Sequence, residues 1–189
     1  MELEETSLDG VVILTPRAFA DDRGVFWESW NARQFEKLGL STNFVQDNQS
    51  ISALPGTVRG LHYQAPPHAQ AKLVRVLAGE IFDVAVDFRK GSPTFGQWTG
   101  VVLSAENRRQ VLIPAGFLHG FITRVPETAV AYKCSDFYDR EAEGAVRFDD
   151  PDIGIDWGID PKMAVLSEKD AAAALLRETK TPFAWEVLV

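Results

Sequence analysis

Between residues 70 and 137 the chain breaks into short apolar runs at nearly even spacing, each closed by a Gly, Pro or Asn turn. This feature constrains the fold most. Lys72-Leu73-Val74-Arg75-Val76-Leu77 ends at Ala78-Gly79-Glu80, and Ile81 to Asp87 follows. Gly91-Ser92-Pro93 leads into Gly96 to Leu103, and Ala105-Glu106-Asn107 into Gln110 to Pro114. Phe117 to Thr123 and Ala129 to Phe137 complete the series. Short strands at steady spacing, separated by such turns, predict a sandwich or barrel. Upstream, Leu8 to Leu14 and Val25 to Trp30 read as strands, and Asn43 to Ser52 as a polar strand or loop. Asn31 is placed to cap a short helix, Ala32 to Leu38, stopped at Gly39. The expected fold is therefore mainly β, one domain over residues 1–189, strand-rich through 8–145. A turn- and helix-rich tail covers 146–189, with a helix from Ala171 to Arg177. Ser167 is its candidate N-cap, with Asp170 three residues on.

One strand is expensive. Thr57-Val58-Arg59-Gly60-Leu61-His62-Tyr63-Gln64 follows the turn Leu54-Pro55-Gly56 and places an arginine, a glycine and a histidine within four positions. Side chains alternate along a strand, so Arg59 and His62 would point to opposite faces. A bulge at Gly60 would bring them to the same face. A cation beside a base suits an anionic substrate that must lose a proton.

The chain has 189 residues and a formal net charge of −8. Such an acidic chain argues against a general nucleic-acid binder. No apolar run is long enough to span a membrane, and Met1-Glu2-Leu3-Glu4-Glu5 is unlike a signal peptide. The single cysteine, Cys134, fits a reducing cytoplasm.

A second unusual stretch is Pro114-Ala115-Gly116-Phe117-Leu118-His119-Gly120-Phe121. Its Pro-x-Gly-x-x-His pattern resembles the second motif of the cupin superfamily, jelly-roll barrels with their active site inside. Metal-binding cupins add an earlier His-x-His. Here that place reads His62-Tyr63-Gln64, so one metal histidine is missing, and His68 lies further on in a Pro-rich loop.

Six segments in order carry a closer resemblance. They are Asp22-Arg23-Gly24-Val25-Phe26, Gln46-Asp47-Asn48, Arg59 to Gln64, Lys72 to Val76, Gly79 to Asp87, and Pro114 to Phe121, continued by Tyr132, Tyr138, Glu143 and Asp170. The chain resembles the dTDP-4-dehydrorhamnose 3,5-epimerase family over nearly its whole length. The resemblance implies a cupin-type jelly roll, no cofactor, no metal, and a homodimer with exchanged N-terminal strands. It implies a dTDP-4-keto-6-deoxyhexose substrate epimerised at C3 and C5. His62 would be the base, Asp170 its orienting carboxylate, Tyr132 the acid on the opposite face, and Lys72 the partner of the enolate oxygen. Arg59 and Arg23 would hold the pyrophosphate, His119 the sugar, and Tyr138 the thymine. Gln46, Asn48, Glu143 and Lys169 complete the substrate contacts, and Arg23, Phe26 and Glu28 would come from the neighbouring subunit. Two other readings remain: an epimerase of a single carbon, and a metal cupin or non-catalytic sugar-nucleotide binder.

Overall fold

The computed structural model describes residues 1–40 and 43–185. In chain order its strands are β1 (Glu2–Glu5), β2 (Val12–Thr15), β3 (Ala18–Asp21), β4 (Gly24–Trp27), β5 (Gln46–Ser52), β6 (Val58–Gln64), β7 (Lys72–Ala78) and β8 (Glu80–Asp87). They continue as β9 (Arg89–Lys90), β10 (Trp98–Ser104), β11 (Gln110–Ile113), β12 (Phe117–Thr123), β13 (Thr128–Cys134), β14 (Glu143–Ala145) and β15 (Phe183–Ala184). The α-helices are α1 (Ala32–Lys37) and α2 (Glu168–Ala171).

Alternation along the strands builds two facing antiparallel sheets, the jelly roll of the cupin superfamily. One has six strands in the order β1-β2-β11-β7-β13-β5, the other five in the order β10-β8-β12-β6-β14. Val74, Val76, Val111 and Val130 of the first meet Ile81, Leu103, Phe117 and Phe121 of the second in the central core. The opposite parity is covered separately on each side. Leu14, Leu73 and Leu112 pack beneath Phe35 of α1, while Leu61, Val84, Val86, Leu118 and Ile122 pack beneath Val146, Phe148, Ile153 and Trp157 of the tail. With both faces covered, β12 is buried at every position.

The cap readings hold. Asn31 accepts from the Arg33 and Gln34 amides at the start of α1, a bond worth about 1 kcal/mol, and Gly39 ends the helix with φ +75°. Ser167 accepts from the Asp170 amide. The helix expected from Ala171 to Arg177 does not form. α2 ends at Ala171, Ala174 bridges to Val146, and the Leu176 amide donates to Asp150 at 2.6 Å. Docking on the barrel overrides the helix propensity of the alanines. The expected strand Leu8 to Leu14 is also corrected: Leu8 to Val11 is a turn, closed by Val11 N to Leu8 O at 3.0 Å, and β2 begins at Val12.

The bulge in β6 positions everything that follows. His119 pairs with His62 and Phe121 with Arg59, so two steps on β12 answer three on β6. Gly60 absorbs the extra residue with φ +138°. A Cβ there would lie 2.5 Å from Gly120 Cα and 2.9 Å from the His119 carbonyl oxygen, so both conformation and space demand glycine. Val58 and Leu61 consequently face the tail, and Arg59 and His62 line the pocket between the sheets.

Candidate active site

Between the sheets lies a cavity of about 440 Å³. One wall comes from the five-stranded sheet and carries Arg59, His62 and His119; the other comes from the six-stranded sheet and carries Ser50, Lys72 and Tyr132. Glu143 and the tail segment Val165 to Asp170 close the rim.

His62 Nε2 lies 2.5 Å from Asp170 Oδ1. The histidine side chain is 26% exposed to the cavity and the carboxylate only 6%. Burial by itself would raise the Asp170 carboxyl, but the hydrogen bond and charge of His62, with help from Ser167 and Lys169, carry it below the usual carboxylate range. Nε2 is held by the carboxylate, and the side chain lines the cavity.

On the facing wall Lys72 shares the parity of Val74 and Val76, and Tyr132 that of Val130 and Cys134. Lys72 Nζ sits 5.9 Å from the centre of the Tyr132 ring. Burial pulls the Lys72 ammonium below the ordinary lysine range, against the raising pull of Cys134, Asp83 and Glu143. Burial pushes the Tyr132 hydroxyl up, reinforced by Cys134 and opposed by the Asn48 hydrogen bond and the Arg59 charge, so it keeps its proton at neutral pH. A base candidate therefore faces a proton-bearing hydroxyl, with a buried cation on the hydroxyl's side.

Arg59 and His119 line the same cavity, as do Glu143 and Lys169, which form an ion pair at 2.5 Å. Gln46, Asn48 and Tyr138 line an adjoining recess of about 110 Å³, shared with His62, Lys72, Tyr132 and Glu143. The Tyr138 hydroxyl donates to Glu143 Oε2 at 2.9 Å. Arg23, Phe26 and Glu28 are not brought to this chain's own cavity. Arg23 is 89% exposed and pairs with Asp21 in the β3–β4 hairpin, Phe26 is 68% exposed, and Glu28 accepts from Asn31 and Gln34 beside α1.

Two residues that the sequence reading passed over belong here. Asp83 holds His119 Nε2 at 2.9 and 3.1 Å, and both side chains are buried. The signal was the inward parity of Asp83 among the apolar residues Ile81 and Ala85. Ser50 follows Asn48 on the inward row of β5, and its hydroxyl is buried without a partner among the described residues. Each histidine meets its own carboxylates: His62 meets Asp170, His119 meets Asp83, and His68 lies within 3.5–3.6 Å of Asp136 and Asp139. Among the described residues no three His, Cys, Asp or Glu side chains converge as a metal-ligand set. No helix among them is long and apolar enough to cross a membrane.

A jelly roll whose inner cavity sets a carboxylate-held histidine and a tyrosine on its two walls defines the class as a cupin-type barrel protein. Comparison with known proteins narrows the class. The sequence profile of the dTDP-4-dehydrorhamnose 3,5-epimerase family matches residues 5–178. The dTDP-4-dehydrorhamnose 3,5-epimerase of Methanothermobacter thermautotrophicus is 51% identical over 92% of this chain and 94% of its own length. That of Salmonella typhimurium is 51% identical over 91% of this chain and 93% of its own. The crystal structure of the Legionella pneumophila dTDP-6-deoxy-D-glucose-3,5-epimerase, in complex with dTDP-4-keto-L-rhamnose, superposes with a TM-score of 0.93 at 47% identity, covering 98% of this chain and 99% of that one. The chain belongs to the dTDP-4-dehydrorhamnose 3,5-epimerase family.

Proposed function

We propose that this chain epimerises dTDP-4-dehydro-6-deoxy-D-glucose at C3 and C5, giving dTDP-4-dehydro-L-rhamnose. The observation that carries the reading is the His62–Asp170 pair facing Tyr132 and Lys72 across one cavity. C3 and C5 flank the C4 ketone, so loss of either proton gives an enolate. His62 takes that proton while Asp170 fixes the ring tautomer and favours the imidazolium that forms. The Lys72 ammonium holds the oxygen where charge develops. Tyr132 delivers a proton from the opposite wall, which inverts the centre. Arg59 takes the pyrophosphate, a task for a forked cation. His119 contacts the sugar, Tyr138 stacks on the thymine, and Gln46, Asn48, Glu143 and Lys169 complete the contacts.

The same reading makes the protein a homodimer, with Arg23, Phe26 and Glu28 lent to the partner's pocket. Its support is the β3–β4 hairpin, which pairs only with itself among the described strands and exposes Phe19 and Phe26. The same reading uses no metal, because His62-Tyr63-Gln64 lacks the second histidine of a His-x-His pair, so activity should survive excess chelator. Residues 1–189 act as one domain, in the cytoplasm, where the lone buried thiol of Cys134 stays reduced.

Solvent-deuterium incorporation followed by NMR with the dTDP-4-keto sugar tests the reaction. Label should enter at both C3 and C5 and the rhamno product should accumulate; label at a single carbon would make this a single-carbon epimerase. Tyr132→Phe should retain exchange on the base face and lose inversion at C5. Normal C5 inversion by that variant would remove Tyr132 as the acid.

A further inference from the structure

Beyond Cys134 the chain leaves the sheet, and the segment that carries Tyr138 has its main chain held by side chains instead of a neighbouring strand. Gln70 Nε2 donates to the Asp136 carbonyl at 2.8 Å, and Gln46 Oε1 accepts from the Tyr138 amide at 2.9 Å. The centre of this arrangement is Gln64, at the end of β6 and buried. Its Nε2 donates to the Phe137 carbonyl at 2.9 Å and its Oε1 accepts from the Asp139 amide at 3.0 Å. One side-chain amide thus grips the main chain on both sides of Tyr138. The remaining Nε2 hydrogen donates to the His68 carbonyl at 2.5 Å, which ties the loop after β6 into the same grip.

The Tyr138 ring has little packing to hold it: the residue is exposed, and among the described residues its hydroxyl bonds only to Glu143. Its location is set by its backbone, which Gln46 holds at the Tyr138 amide and Gln64 grips on either side. Gln64 also lies two residues from His62, on the same side of β6. We propose that Gln64 is a positioning residue for nucleotide recognition, fixing the Tyr138 ring at a set distance from the reacting end of the site. This rests on the reading of Tyr138 as the platform for the thymine base.

The test compares wild type with Gln64→Leu, Gln64→Glu, Tyr138→Ala and the Gln64→Leu/Tyr138→Ala double variant. Binding of dTDP is measured by calorimetry, and kcat and KM with the dTDP-4-keto sugar. Gln64→Glu keeps the acceptor for the Asp139 amide and loses both donated bonds, so it replaces Gln64→Leu if that variant does not fold. Tyr138→Ala should weaken dTDP roughly tenfold or more, as loss of a base-stacking ring does. The Gln64 variants should weaken dTDP and raise KM with kcat retained, and the double variant should bind no worse than Tyr138→Ala alone. Wild-type dTDP binding by both Gln64 variants overturns the proposal, as does full additivity in the double variant or a fall in kcat with KM unchanged. Wild-type dTDP binding by Tyr138→Ala instead removes Tyr138 as the base platform, and the proposal with it.

Discussion

The molecule contains two histidine–carboxylate pairs on adjacent strands, and they are built in opposite ways. His119 and Asp83 both belong to the five-stranded sheet and are 8% and 1% exposed; their pairing is a property of the barrel. His62 sits on the same sheet, directly across from His119, but its carboxylate arrives from α2 in the tail, and the ring keeps an open side toward the cavity. A buried polar group costs free energy unless it is paired, so the Asp83 pair carries a structural obligation. In the Asp170 pair the histidine side chain stays 26% exposed. Similar pairs at neighbouring positions thus differ in where the carboxylate comes from and in how far the ring is exposed.

The largest effect that would break this contrast lies in His62→Ala. It should abolish both deuterium exchange and product formation, a loss of at least about 10²- to 10⁴-fold. Near wild-type exchange at C5 would move the base elsewhere, with His119 the first alternative. Asp170→Asn keeps the shape of the pair but removes the charge and offers the wrong donor, so kcat should fall by about 10²-fold or more while the fold persists. Asp83→Ala should show the reverse balance. It strands His119 Nε2 in the core and should cost about 1–3 kcal/mol in urea unfolding, and its activity loss should be milder than that of Asp170→Asn. If Asp83→Ala is as stable as wild type and as inactive as Asp170→Asn, the two pairs are functional equals and the contrast fails.

The smallest expected effect concerns acid. Pairing holds the Asp170 carboxyl below its ordinary value, so the folded state prefers it ionised more than the unfolded state does. That stability is fully present above the unfolded value of about 3.9 and is lost as pH falls through the folded value. Asp170→Asn should lack this component, so the stability gap between wild type and variant should narrow on acidification below about pH 4. A gap that stays constant down to the acid limit would show that Asp170 is not stabilised by its partner.

How much of this was legible in the sequence follows from the range of the interactions. The bulge could be read because Gly60 lies between the two residues it reorients, and the inward parity of Tyr132 because Val130 and Cys134 flank it. The caps at Asn31 and Ser167 are local for the same reason. Asp83 could not be assigned to His119, because their proximity depends on the register between β8 and β12, set by residues far apart in the chain. The alanines after α2 misled because their intrinsic preference is helical while Asp150 and Val146, distant in sequence, decide their conformation. Strand β1 was missed because an acidic edge strand, Glu2–Glu5, carries almost no apolar alternation. The Gln64 grip was invisible for a related reason: a side chain that substitutes for a missing strand leaves no periodic trace.

The separation of 108 positions between His62 and Asp170 has a consequence for biosynthesis. Chains emerge from the ribosome N-terminus first, and the strands through β14 are complete before α2 is made. At that stage His62 and Tyr132 have been made, but the carboxylate that pairs with the imidazole has not. The His62–Asp170 pair therefore forms only when the tail lies down across the outer face of the five-stranded sheet. A chain whose tail has not settled lacks both the rim from Val165 to Asp170 and the carboxylate beside His62.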